Sequence, residues 1–140
     1  MLTKRLVRDA MQRSVVFCPL DATAREAARL LVEYQTHALV VVDQDGEASG
    51  VITATDLVKI HNSRLDEVRV EDIASSPVIT IPATFTMSQA AQLMLDKGLH
   101  QLVVLMAPEL RRPVGLLART HVVRDMLQAA AEAAQGSGPT

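Results

Sequence analysis

The residues best placed to do chemistry form one string, Gly50-Val51-Ile52-Thr53-Ala54-Thr55-Asp56, in which an apolar pair runs into two hydroxyls and a carboxylate. Hydroxyls beside the free N–H groups of a helix start suit a phosphate. A carboxylate there can accept hydrogen bonds from vicinal hydroxyls such as those of a ribose. The same spacing has a purely structural reading, since Thr53-x-x-Asp56 is a good N-cap with an acid in the first turn. On the residues alone both readings stand.

Other chemistry is thinly represented. Cys18 with His37 or His100 could serve as nucleophile and base, but a lone Cys at a strand end reads better as a small buried hydrophobe. The four histidines (37, 61, 100 and 121) do not fall at ligand spacing on any helix face, so no metal site is expected. Phosphate-loop, dinucleotide-binding, nucleophile-elbow and zinc-protease motifs do not occur. The expectation is a protein that is not an enzyme and carries no cofactor.

The elements that must position these residues come as a duplication. A shift of 63 residues superimposes Val7, Asp9, Val15, Pro19, Thr23, Ala27, Ala28, Leu30, His37, Leu39, Val40 and Val41 on identical residues of the second half. After two extra residues, Gly50 meets Gly115, Thr55 meets Thr120 and Val58 meets Val123. Each unit reads β-α-β-β-α. A short strand (Val15–Phe17, Val78–Ile81) leads to a capping box, Thr23-x-x-Glu26 or Thr86-x-x-Gln89. The helix that follows carries an apolar stripe: Ala24, Ala27, Ala28 and Leu31, or Met87, Ala90, Ala91 and Met94. Continuous apolar runs, Leu39–Val42 and Leu102–Leu105, read as strands buried on both faces. A second strand (Ser49–Thr53, Val114–Ala118) then enters a helix near Thr55 or Thr120. The expected fold class is α/β (α+β), with two pseudo-symmetric units packed as one module: residues 1–62, a polar linker at 63–69, and residues 70–128. The stretch 129–140 is expected to be a fraying tail, although its Ala-rich start suits an extension of the last helix.

Composition narrows the classes further. The 140 residues are 49% apolar, 21% charged and only 2% aromatic, which implies a globular chain with an aliphatic core. A net charge of −2 and the missing aromatics argue against nucleic acid, which needs phosphate-neutralising cations and stacking platforms. No apolar run, Ala38–Val42 included, approaches the roughly 18 residues that span a bilayer. With a charged N-terminus and one cysteine, the chain reads as cytoplasmic, with no membrane contact. The helices near Thr55 and Thr120 carry Leu57, Val58 and Ile60, and Val122, Val123, Met126 and Leu127, more apolar surface than one small sheet covers. A homodimer is expected from that excess.

The duplicated unit, the run His37-Ala-Leu-Val-Val-Val-Asp43 and the string Gly50–Asp56 resemble a tandem pair of CBS domains (cystathionine-β-synthase motifs), of the stand-alone kind, over about residues 7–126. The resemblance implies a regulatory module that takes an adenosine compound (AMP, ATP or S-adenosylmethionine) in a cleft between the two units and signals to an unknown partner protein. It implies one cleft built from Gly50, Thr53, Thr55 and Asp56 with Thr80 and Ile81 of the other unit, and His37 within reach of a phosphate. The other cleft departs from the pattern. Gly115-Leu-Leu-Ala118-Arg119-Thr120-His121 has Ala for the hydroxyl and His for the ribose acid, and Phe17 stands where Thr80 stands. With both polar groups gone, the second helix is expected to start without a cap. The rival reading is a ligand-free scaffold that serves oligomerisation.

Overall fold

The computed structural model describes residues 4–75 and 78–136, and side chains as far as residue 134. Its elements are α1 (Val7–Ala10), β1 (Phe17–Pro19), α2 (Ala24–Glu33), β2 (Ala38–Val42), β3 (Ala48–Thr53), α3 (Ala54–Val58), α4 (Val70–Ile73), β4 (Thr80–Pro82), α5 (Met87–Lys97), β5 (Gln101–Ala107), β6 (Leu110–Ala118) and α6 (Arg119–Gly136), with a 3-10 turn at Leu65–Glu67. They form two three-stranded sheets, ordered β1-β2-β3 and β4-β5-β6. The fold is mixed α/β, as the sequence implied.

The first sheet illustrates why the order arises. β1 runs parallel to β2 with Phe17 opposite Val40, and β3 returns antiparallel with Ala38 opposite Thr53. The turn between β2 and β3 is closed by Asp43, whose carboxylate accepts from the Asp45 and Glu47 amides at 2.9 and 3.0 Å. β1 sits two residues later than expected and ends on Pro19. Pro19 lacks an N–H, which an edge strand tolerates, and the pairing continues through Leu20 N–H to Val42 O at 3.0 Å. β4 does the same, ending on Pro82. Leu39, Val40 and Val41 of β2 and Leu102, Val103 and Val104 of β5 are wholly buried. The apolar runs therefore lie at the centre of each sheet.

The chain divides into two compact units that cut across the repeats. One, called the β1–β3 unit here, comprises residues 14–79 with 111–113. The other, the β4–β6 unit, comprises residues up to 13, 80–110 and 114 onward. The segment that leads each repeat thus belongs to the body of the other. In the β1–β3 unit, Val70 N–H donates to Ala22 O and Ala24 N–H to Val68 O, both at 2.8 Å. In the β4–β6 unit, Val7 N–H donates to Phe85 O at 2.9 Å and Met87 N–H to Arg5 O at 2.7 Å. These bonds match one for one under the 63-residue shift. Val70, Ile73 and Ala74 accordingly pack into the core made by Cys18, Ala22, Ala27, Leu31, Leu39, Val41 and Ile52.

Several details differ from the sequence reading. Thr23 caps α2 by accepting from Glu26 N–H at 3.2 Å, but of the two expected boxes Thr86–Gln89 alone is fully reciprocal. Val122 is 7% exposed and Leu57 packs against the core, so neither adds to the uncovered apolar surface. α6 continues to Gly136, as the Ala-rich start of the tail allows, and the remainder of the expected tail, 137–140, lies outside the described residues. Alanine propensity favours the extension, and Arg5 holds the helix through Asp125 at 2.8 Å and Glu132 at 2.7 Å. No helix among the described residues is long and apolar enough to cross a membrane.

Candidate functional site

At the junction of β3 and α3, strand geometry carries Thr53 to the sheet's end and the next residues turn into a helix. Thr53 has extended backbone (φ −121°, ψ 168°), which points its hydroxyl back at the first turn. Asp56 N–H donates to Thr53 Oγ1 at 3.4 Å, and Thr53 N–H donates to Asp56 Oδ2 at 2.7 Å. The Thr53 hydroxyl lies 3.0 Å from the same Oδ2. The box is reciprocal, so the half-buried Asp56 side chain is held in one orientation. Among the described residues its Oδ1 takes no hydrogen bond. One carboxylate oxygen is therefore spent on the cap, and the other is left to accept from something else.

The companions of Asp56 are unevenly placed. Thr55 and His37 are exposed. Gly50 is buried, and a Cβ there would lie 2.6 Å from Ser75 O. That approach is needed by the chain itself, because Ser75 and Val51 exchange backbone hydrogen bonds at 2.9 and 3.3 Å. Thr80 and Ile81 open β4 in the other unit, half-buried and buried respectively.

The second repeat corrects the expectation of an uncapped helix. Ala118 N–H donates to His121 Nδ1 at 2.9 Å, the same position and spacing as Thr53 to Asp56. The signal was present in the sequence as Ala118-x-x-His121, but an imidazole is a cap only in one tautomer. Burial, with the Arg124 charge behind it, holds the His121 pKa below its ordinary value. Gly115 repeats the role of Gly50. A Cβ on it would meet the Met11 side chain and, at 3.1 Å, Gln12 O.

Cys18 is unsuited to attack. It is wholly buried, and burial, aided by Glu26, pushes its thiol up to about 11. Among the described residues no group of His, Cys, Asp or Glu is arranged to hold a metal ion.

Two sheets built from one duplicated β-α-β-β-α unit, each running into a capped helix, define the architecture of a CBS domain pair. The sequence model of the CBS domain matches residues 7–62 and 70–128, and the chain belongs to that family. An uncharacterized protein of Methanopyrus kandleri is 35% identical over 101 residues, 70% of this chain and 52% of that protein. A CBS domain-containing protein of Dictyostelium discoideum is 32% identical over 133 residues, 86% of this chain and 90% of that one. The chain spans about half the length of the Methanopyrus relative.

Among solved structures, the CBS domain of a bacterial CNNM/CorC family Mg2+ transporter in complex with ATP superposes with a TM-score of 0.79, at 20% identity over 90% of this chain and 89% of that one. A CBS domain pair in complex with 5′-methylthioadenosine and S-adenosyl-L-methionine gives 0.78 at 23% identity, over 89% and 97%. The protein CBSX2 in complex with AMP gives 0.75 at 24% identity, over 90% and 98%. These likenesses establish the fold.

Proposed function

We propose that this chain is a regulatory, non-catalytic module that senses an adenosine nucleotide or a relative of the AMP, ATP or S-adenosylmethionine class and passes its occupancy to a partner protein. The observation that carries this reading is the Asp56 carboxylate, fixed through Oδ2 by Thr53 and left with Oδ1 open beside the exposed Thr55. A ribose offers that oxygen hydroxyl donors, and the α3 start with the Thr53 and Thr55 hydroxyls suits the polar remainder of a nucleotide. Three CBS-domain neighbours of the same fold were solved with adenosine compounds. By the resemblance, Gly50, Thr80 and Ile81 flank the same ligand and His37 serves a phosphate. The module works as a cytoplasmic homodimer, joined through exposed apolar residues that include Val58 and Val123.

A scaffold without a ligand is the second reading, and one observation favours it. Both repeats keep an N-cap acceptor, Asp56 or His121, so capping alone accounts for a polar residue at this position. Thermal unfolding against AMP, ATP and S-adenosylmethionine separates the two. A ligand at about a hundred times its Kd stabilises the fold by about 2.7 kcal/mol, whereas a scaffold gives a flat response to all three.

A further inference from the structure

The two repeats close the starts of α3 and α6 with chemically different acceptors. Thr53 N–H donates to a carboxylate oxygen, and Ala118 N–H donates to an imidazole nitrogen. A carboxyl group keeps acceptor capacity in either protonation state, whereas imidazole has one acceptor nitrogen and loses it when protonated. To accept from Ala118, the His121 ring must be neutral, with its hydrogen on Nε2. The second repeat also has no hydroxyl in reserve, because Ala118 stands where Thr53 stands.

We propose that His121 makes the start of α6 a proton-sensitive joint, closed while the ring is neutral and released when Nδ1 takes a proton. Burial opposes that proton first, and the Arg124 charge adds to the opposition. Arg119 and Arg124 lie on α6 itself, and Arg119 is tied to the stretch entering β5 through Leu99 O at 2.7 Å and His100 O at 3.0 Å. That stretch carries Asp96, Lys97 and His100, of which Asp96 is exposed and bonded to Gln92. The segment bridged to β6 at Gln12 adds Arg13. One turn further along α6 the buried Asp125 is paired with Arg5 at 2.8 Å, and α1, packed against α6, carries the exposed Arg8 and Asp9. Because the folded state disfavours protonated His121, the cap is complete above the ordinary imidazole pKa of about 6.5 and is lost as pH falls below it. The aspartate cap of the sister repeat has no comparable dependence on losing its acceptor.

Histidine ring and backbone amide NMR from pH 8 to 5, on the wild type and His121→Asp, tests this directly. The expected result is an Nε2–H tautomer at pH 8 and a His121 titration below 6.5. The protection factor of the Ala118 amide falls about fivefold to tenfold along that titration, the size of a lost cap. In His121→Asp, which copies the sister repeat, Ala118 protection stays level over the same range. An Nδ1–H tautomer, a titration at or above 6.5, or an equal loss of Ala118 protection in both proteins overturns the proposal.

Discussion

Removing the Asp56 carboxylate removes two things at once, a helix cap and a proposed ligand contact. Asp56→Ala breaks both halves of the box with Thr53, and should lower stability by about 1 kcal/mol in chemical denaturation. Asp56→Asn keeps one oxygen for the Thr53 amide and should stay within about 0.5 kcal/mol of wild type. Cys18 offers an independent check on burial. Its thiol should react with an aromatic disulfide reagent at pH 8 at least about a hundredfold more slowly in the folded protein than in guanidinium. At this scale the sequence was informative for Thr53 and Asp56, because capping depends on spacing that can be read directly. His121 was missed because its role depends on a tautomer, which residue identity leaves open. Helix ends show a similar limit. α5 stops at Gly98 with φ 62°, but the matching position after α2 is Gln35 with φ 49°. Gln35→Gly should raise stability by about 0.5–1 kcal/mol, since a side chain in the left-handed region costs more than the added freedom of glycine.

At the scale of elements, the exchange of leading segments explains the glycines. Gly50 and Gly115 let a neighbouring chain segment bridge to Val51 and Leu116, with Gln12 and Leu116 exchanging bonds at 2.8 and 3.0 Å. The two positions should not tolerate a methyl equally. Gly50→Ala drives a Cβ to 2.6 Å from a backbone oxygen, and should cost about 1–3 kcal/mol. Gly115→Ala meets first the flexible end of Met11 and should cost less, a ranking that urea midpoints can check. The duplication was legible in the 63-residue shift, and the buried strands in the apolar runs, since such strands need continuous apolar residues. The exchange was not. It is carried by main-chain bonds such as Val70 N–H to Ala22 O, which every residue type but proline can make and which leave no mark on side-chain identity.

For the whole molecule, two pairs of exposed apolar residues fall at equivalent places in the two repeats. Val32 and Leu95 are 78% and 69% exposed, and Val58 and Val123 are 66% and 62%. The proposed homodimer would bury such residues. Sedimentation should show a dimer at micromolar concentration, and the double change Val58→Glu with Val123→Glu should weaken it at least about tenfold. A monomeric wild type would contradict the dimer and leave the ligand reading intact. The ligand reading itself rests on Asp56. Titration calorimetry of AMP, ATP and S-adenosylmethionine into wild type and Asp56→Asn tests it most directly, because the variant keeps the cap. The account predicts that at least one compound binds the wild type and that Asp56→Asn weakens it about tenfold to a hundredfold, the size of a lost charge-assisted hydrogen bond of about 1.5–3 kcal/mol. Equal affinities in the two proteins, or no heat from any of the three compounds, would contradict it.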